Sequence, residues 1–489
     1  MVAPDGQSSA FLAVVLDRGD GATLTHQLYA QLRDIILSGR LGDGARMPST
    51  RRLCLDLQVS RTVTLAAYDQ LAAEGYLASR AGSGYFVEPL VQHHSRNAGV
   101  ENVRRADATW DEPAALARPF NPSAQATNLF PHQTWARLLG RSWRRPETMP
   151  NDLTAAGHGG LRAAIANHLY ALRGVDYRPD QILITSGNSD ALQLIVRSFG
   201  TLADTVWVED PGHGAAIRVL RAEGLAIVPV PVDSIGLNVA AGIALDPKAR
   251  FALITPARQF PLGMPLALNR RLELLNWARD SGTILIEDDY DSEIRFAGRA
   301  MPSLAALGQS DSVLSLGSLS KLTFPGLRIG YIAGPGPMIA DLVARRAELG
   351  TQVATTGQAA LAEFFSEGAF AKHLRALRGH LNQRRNLLLR LLENDVGEDV
   401  VVLPQEVGMH LTIVLDDRFH DVAADERLAE EAAREGLNLA PLSSHSIRAF
   451  ARNGFLLGYA GWSEAELIDG VRILAQILKR FRPSAHRRD

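Results

Sequence analysis

Lys321 stands in SLGSLSKLTFPGLRIGY (315–331), behind an apolar strand-like run and a serine-rich turn, with Arg328 seven residues on. A lysine that condenses with an aldehyde must be partly desolvated and near other cations, because both lower its pKa. A phosphate beside it needs hydroxyls and an arginine fork, and Ser318, Ser320 and Arg328 supply both kinds of group in the same segment. Alone, a lysine in such a turn reads as an ordinary surface residue.

Three further segments bear on that reading. TILIEDDYDSE places Asp288 at the C-terminal end of a buried strand, with Tyr290 two residues later. A carboxylate there can pair with a protonated pyridine nitrogen, and the phenol can hydrogen-bond a ring oxygen. ITSGNSDALQLIVRSF reads as a strand, a Gly187-Asn188-Ser189 turn and a helix, whose first backbone N–H groups form an anion site. VEDPGHGAA ends a strand in a turn carrying His213, a flat side chain that could stack on a ring. Taken singly these are helix caps, strand-end turns and a satisfied histidine. Their order along one chain points to an aldehyde cofactor with a pyridine ring and a phosphate.

The elements that must hold these residues are legible from pattern. From Pro119 onward, the apolar runs QILIT (181–185), TVWVED (205–210), FALIT (251–255), TILIED (283–288) and SVLSLG (312–317) alternate with helical patterns. That alternation predicts an α/β domain with parallel strands and crossover helices. Residues 89–118 show no sustained period and carry scattered charges and prolines, so they are expected to form a linker. A flexible chain of that length, roughly 30 residues, spans tens of ångströms.

Residues 22–88 are helix-rich. Leu24, Leu28, Leu32, Ile35 and Ile36 recur at helical spacing and predict an amphipathic helix over 24–38, ending near Gly39. Ser49 can cap a second helix carrying Leu53, Leu55 and Leu57. After a tight Gln58-Val59 turn, Ser60 can cap a third with Val63, Ala66, Ala67, Tyr68 and Leu71. Two short helices about a tight turn form a helix-turn-helix, whose second member would enter the major groove with Arg61 at its exposed start. Arg51 and Arg52 precede the turn, where phosphate contacts usually lie. EGYLASRAGSGYFV then reads as two strands around Gly82-Ser83-Gly84, a wing able to approach the minor groove.

Composition sets the outer limits. The 489 residues are too many for one core, and 46% hydrophobic with 21% charged is an ordinary globular balance. No apolar run approaches the roughly 18–20 residues that span a bilayer. The opening MVAPDGQSSAFLAVVLDRGDG lacks a basic stretch before FLAVVL and is not expected to be a signal peptide. Cys54 is the single cysteine, which excludes an intrachain disulfide and makes the cytoplasm the expected compartment. A net charge of -2 gives no general attraction to nucleic acid, so DNA binding must rest on a local patch. Arg40, Arg46, Arg51, Arg52 and Arg61, against Asp43 and Asp56, supply one.

LTHQLYAQLRDIILSGRL, ARMPSTRRLCLDLQVSRTVTLAAYDQLAAEGYL and GSGYFV resemble the DNA-binding domain of the GntR family along its whole length. On that likeness Ser49, Arg51, Ser60, Arg61, Thr62 and Gly84 fall on DNA-contacting positions. Two departures stand out: Val63-Thr64 where many members have Thr-Val, and Leu65 where many carry a second arginine. From Pro119 to near Arg480 the chain is similar to fold-type I aminotransferases. TPARQFPLGMPLALNRRLELLNWA, EDDYDSEIRFAGRAMPSL and LSKLTFPGLRIGYI resemble, more narrowly, the MocR group of GntR-type regulators.

The resemblance implies three zones. These are a winged helix-turn-helix over 22–88, a linker over 89–118, and over 119–483 an aminotransferase-like domain with a small C-terminal α/β subdomain. It implies pyridoxal phosphate, held by Lys321 as an internal aldimine. Asp288 would face the pyridine nitrogen, Tyr290 the phenolic oxygen and His213 the ring, where the group more often has tyrosine. Gly187, Asn188, Ser189, Ser318, Ser320 and Arg328 would form the phosphate cup, and Arg448 is the candidate for an effector carboxylate. Aminotransferases often read Asn-Pro-x-Gly where this chain has Phe260-Pro261-Leu262-Gly263; Phe260 cannot hydrogen-bond the cofactor, so efficient transamination is not expected. The expected protein is therefore a homodimeric regulator rather than an enzyme. It would bind double-stranded operator DNA and respond to an amine or amino-acid effector through an external aldimine, with residual half-transamination at most. Two alternatives remain at this point: a working aminotransferase with an appended DNA-binding module, and a cofactor-free dimerisation scaffold.

Overall fold

The computed structural model describes residues 14–19, 22–80, 82–89, 118–144, 154–298, 301–307, 311–404, 406–419, 421, 424–448 and 452–482. The chain divides into two compact units, Met1–Ala108 and Thr109–Asp489. The stretch read as a linker lies outside the described residues over 90–117, as do the first thirteen residues and the far end of the large domain beyond 482.

The first unit is built from α1 (Leu24–Leu37), α2 (Thr50–Asp56), α3 (Arg61–Ala73), β1 (Leu77–Arg80) and β2 (Gly84–Val87). Three hydroxyls start the three helices: Thr23, Ser49 and Ser60 accept from the backbone N–H of His26, Arg52 and Val63. Each satisfies a donor that the first helical turn leaves without a partner. Leu28, Leu32 and Ile36 from α1 meet Leu53, Ala67, Tyr68 and Leu71 in one core, closed by Leu77 and Val87 of the hairpin. Leu55 departs from the sequence expectation. Helix α2 has only seven residues, too few to turn two apolar faces inward, and Leu55 is 73% exposed. The hairpin pairs Leu77 with Val87 and Arg80 with Gly84, where a φ of +100° suits a glycine.

The second unit begins with α4 (Gly159–Arg173) ahead of β3 (Ile182–Thr185), α5 (Asn188–Phe199), β4 (Thr205–Asp210) and α6 (Gly214–Ala222). Then come β5 (Ala226–Asp233), β6 (Gly236–Leu237), β7 (Phe251–Ile254), β8 (Ile284–Asp289), β9 (Val313–Ser318), β10 (Gly330–Ala333) and α7 (Gly336–Leu349). Their sheet has the order β3-β10-β9-β8-β7-β4-β5-β6. Strands β9, β8, β7, β4 and β5 are parallel, as the alternation of runs predicts. Strand β10 corrects that picture: it runs antiparallel to both β3 and β9, so the sheet is mixed. An apolar run four residues long encodes burial but not direction. Side-chain alternation then separates two layers. Leu183 and Ile332 pack with α5 and α7, while Ile182, Ile184 and Tyr331 pack with α4.

The C-terminal part adds a long helix, α8 (Ala369–Val396), then β11 (Val400–Val402), β12 (His410–Leu415), β13 (Ala440–Pro441), β14 (Gly454–Gly458) and α9 (Glu464–Phe481). Its antiparallel sheet, ordered β11-β12-β14-β13, buries Leu411, Ile413, Phe455 and Leu457 with Leu474 and Leu478 of α9. No helix among the described residues is long and apolar enough to cross a membrane.

Candidate functional site

Because β10 runs against its neighbours, the C-terminal ends of β3 and β9 and the start of β10 meet at one edge, together with the ends of β4, β7 and β8. In open α/β sheets that edge is where ligands bind. Gly330 makes the meeting possible. A Cβ there would lie 2.8 Å from Gly317 O, 3.0 Å from Thr185 Oγ1 and 3.2 Å from Gly187 Cα.

Lys321 follows β9 in a turn, half-buried, with its Nζ 4.5 Å from the centroid of the Tyr290 ring. Burial lowers its pKa, while Asp291 and Asp288 oppose that shift. Asp288 ends the buried strand β8 and accepts from Asn188 Nδ2 at 2.7 Å. Burial lifts its carboxyl to about 6 against the pull of Lys321 and Asn188. Tyr290 is 5% exposed; its hydroxyl accepts from Arg258 at 3.0 Å, and burial raises its pKa well above the usual phenol value.

The turn before α5 is shaped for an anion. Gly187, at φ +102°, precedes a helix start with no side-chain cap, so the first N–H groups of α5 are open to an outside acceptor. Arg328 donates to Ser186 O at 3.0 Å, and its guanidinium lies 3.5 Å from where a Gly187 Cβ would stand. Ser189 is exposed at the helix start and Ser318 half-buried at the end of β9. The Ser320 hydroxyl accepts from Ile329 N–H at 3.1 Å, which closes the 320–329 loop and leaves its proton to donate outward.

His213 caps α6 through Nδ1, which accepts from Ala216 N–H at 3.2 Å; burial and Lys321 lower its pKa to about 4. Arg448 is not drawn into this cluster by its side chain. It is exposed, and its tie to the sheet edge is its backbone N–H, which with that of Ile447 donates to Asp210.

Sequence reasoning passed over four residues here. Arg258 is fully enclosed, pairs with Asp291 at 2.8 Å and donates to His410 O at 3.1 Å. Its segment TPARQFPLG carried the family likeness without any local sign of a buried cation. His410 and His445 come from the C-terminal part and had no motif to flag them.

In the first unit Ser49, Arg51, Ser60, Arg61, Thr62 and Gly84 are all exposed. Arg52, by contrast, is tied to Asp56 at 3.0 Å along its own helix. Arg61 opens α3 with no acidic residue in its first turn, a free cation at the start of the second helix of the pair.

Residues 147–468 match the aminotransferase class I and II family, and residues 24–87 match the bacterial regulatory proteins of the gntR family. The chain is 35% identical over 480 residues to the probable rhizopine catabolism regulatory protein MocR of Rhizobium meliloti, across 94% of this chain and 95% of that one. It is 31% identical over 473 residues to the HTH-type pyridoxine biosynthesis transcriptional regulator PdxR of Corynebacterium glutamicum, across 95% and 99%. The solved α-aminoadipate aminotransferase LysN of Thermus thermophilus, complexed with N-(5'-phosphopyridoxyl)-L-leucine, matches at TM-score 0.66 and 26% identity over 74% of this chain and 92% of its own. The kynurenine aminotransferase of Pyrococcus horikoshii shares the fold at TM-score 0.69 and 24% identity, over 76% and 93%.

The cofactor of this domain is pyridoxal phosphate, and the residues at the sheet edge fit it. A primary amine of lowered pKa, an enclosed carboxylate, a phenol and an uncapped helix start beside an arginine are the groups such a molecule needs. The buried Asn188 Oδ1, which has no hydrogen-bond partner among the described residues, adds an open acceptor at the same place.

Proposed function

Because this chain belongs to the MocR-type group of GntR-family transcription regulators, we propose that it is a DNA-bound switch set by a small amine or amino acid that competes with Lys321. The observation that carries this reading is the pairing of one exposed DNA-reading helix with one enclosed, acid-flanked amine in a single chain. Pyridoxal phosphate supplies an aldehyde that captures primary amines. In the resting protein Lys321 holds it, Asp288 keeps a proton on the ring nitrogen and Tyr290 engages the ring oxygen. His213 lies against the ring. Gly187, Asn188, Ser189, Ser318, Ser320 and Arg328 hold the phosphate. When an effector's amino group replaces Lys321, the released ammonium lies between Asp288 and Asp291, and that change of charge and contact distinguishes the two states.

A working aminotransferase is the second reading, favoured by the solved neighbours of the large domain. Phe260 speaks against it: its ring meets Tyr290 edge-on at 5.9 Å and offers no hydrogen bond. The two part on one experiment. The cofactor-loaded protein is mixed with an amine panel while absorbance, operator affinity and keto product are followed. A spectral change with altered operator affinity and no accumulating keto product supports the regulator; sustained keto-acid formation from donor and acceptor establishes the enzyme.

Homodimerisation, cytoplasmic location and a domain division at 22–88, 89–118 and 119–483 belong to the same proposal. Paired readers imply paired half-sites in the operator. Replacing Arg61 by alanine is expected to weaken operator binding by about 1–3 kcal/mol and to relax base preference at one position per half-site. Arg51→Ala should weaken all sequences alike and flatten the salt dependence, as fluorescence anisotropy on operator and scrambled duplexes will show. For the cofactor, Arg328→Ala removes a charge-assisted phosphate contact worth about 1.5–3 kcal/mol. Equilibrium dialysis should therefore give a dissociation constant raised by about 10- to 150-fold.

A further inference from the structure

Three imidazoles surround one ring beside Lys321. His213 caps α6, His410 opens β12 and His445 sits in the short turn Ser443–His445. All three meet Phe260 edge-on, with centroid distances of 5.1, 5.6 and 5.1 Å, and Tyr290 meets it from a further side. Tyr290 also carries the Lys321 ammonium over its face, so the histidine cluster begins where the reactive amine lies. The small C-terminal sheet is fastened here: Gly212 N–H donates to His445 O at 2.9 Å.

Two of these rings are unsatisfied. The Nε2 atoms of His410 and His445 are buried and have no hydrogen-bond partner among the described residues, and His410 is only 5% exposed. Buried polar atoms in native proteins are nearly always paired, so two such atoms in one pocket call for a partner from outside the chain. A metal is not that partner, since no group of three histidine, cysteine or acidic residues among the described residues is arranged to hold one.

The charge of the pocket narrows the choice. Burial holds His213 and His445 down to about 4 and His410 well below its usual value, so all three rings are neutral at pH 7. A neutral imidazole offers one donor and one acceptor, the same double character as a hydroxyl. A carboxylate only accepts, and in an enclosed site it requires a cation that is not already matched. The cations here are matched: Arg258 by Asp291 at 2.8 Å, and Lys321 by Asp288 and Asp291. Arg328 leans on the Ser186 carbonyl at the phosphate end, and Arg448 is exposed.

We propose that the effector is a hydroxylated primary amine, an amino alcohol or amino polyol, whose hydroxyls are bound by His410 and His445. This rests on the regulator reading above and replaces the carboxylate-binding role considered for Arg448.

The test titrates the cofactor-loaded full chain with matched pairs, 2-amino-1,3-propanediol against serine and 4-amino-1-butanol against 4-aminobutanoate, reading the visible absorption band. The alcohol of each pair is expected to half-saturate at a concentration about tenfold or more below that of the acid, the size of one hydrogen bond. His445→Phe should erase most of that difference while leaving the acid's half-saturation within about twofold. The wild-type comparison needs no variant, so a misfolded substitution does not blunt the test. Amino acids that saturate at equal or lower concentration overturn the proposal and leave the regulator intact, as does an equal loss for both members of a pair in His445→Phe. A cofactor band that no amine shifts overturns the amine-sensing reading and this inference with it.

Discussion

Lys321→Ala protein is expected to show no amine-bound cofactor band when loaded with pyridoxal phosphate, and no amine is expected to alter its operator affinity. The argument runs from position to consequence. Lys321 is the amine that stands over the Tyr290 ring, with Asp288 and Asp291 flanking it. Removing it deletes both the covalent hold on the cofactor and the group whose release distinguishes the two states. A ligand shifts a conformational equilibrium only by its differential affinity for the two forms. A coupling in the usual range of about 1–3 kcal/mol corresponds to about 5- to 150-fold in operator affinity, and that whole factor should vanish. Basal operator binding should stay at the wild-type level, since Arg51, Arg61 and Thr62 belong to the other compact unit. An alanine variant that still responds to the same amine would return the large domain to the role of a cofactor-independent scaffold.

The second large effect concerns stability. Asp291→Asn leaves the Arg258 guanidinium without its anion at a site where both side chains are 2% exposed. Breaking one partner of a buried pair costs about 3–5 kcal/mol, because the remaining charge is desolvated and uncompensated. Urea denaturation of the large domain, followed by tryptophan fluorescence, should show a midpoint lowered in proportion. The double change Arg258→Met with Asp291→Leu should recover part of the loss, since an apolar pair avoids the stranded charge. Recovery will be incomplete, because His410 O and the Tyr290 hydroxyl lose their donor. Equal destabilisation in single and double variants would mean that these hydrogen bonds, rather than the ion pair, hold the region.

What the sequence revealed was local. Asp288, Gly187, Asn188 and Lys321 each sit at a strand end or helix start, where a run of a few residues carries both the element and the chemical group. The structure brings Asn188 and Asp288 into hydrogen-bond contact and sets Lys321 beside Tyr290. Arg258 could not be read that way. Its significance lies in Asp291, Tyr290 and His410, partners that come from two other strand ends and that no local pattern announces. The histidine pair escaped for the same reason, since burial rather than neighbouring sequence makes His410 and His445 neutral. Strand direction was lost too. GYIA is as apolar as its neighbours, and only the ladder with Thr185 and Ser318 shows that it runs the other way. In the first unit the reading of α2 overreached at Leu55, where a short helix offers one inward position and the pattern suggested several.

The reversed strand has a bearing on how the protein is born. Strand β3 is the first of its sheet to leave the ribosome and β10 the last, yet the two are direct neighbours. The Ser186–Gly187 turn must therefore wait for Arg328 through the synthesis of every other strand, which takes several seconds at about 5–20 residues per second. The helices and hairpin between Leu24 and Val87 have all their partners close in sequence and can close long before. Each new chain thus passes through an interval in which it can read DNA but has no cradle for its cofactor. A message cut short before Gly330 would make that interval permanent, leaving an operator-binding fragment deaf to any amine.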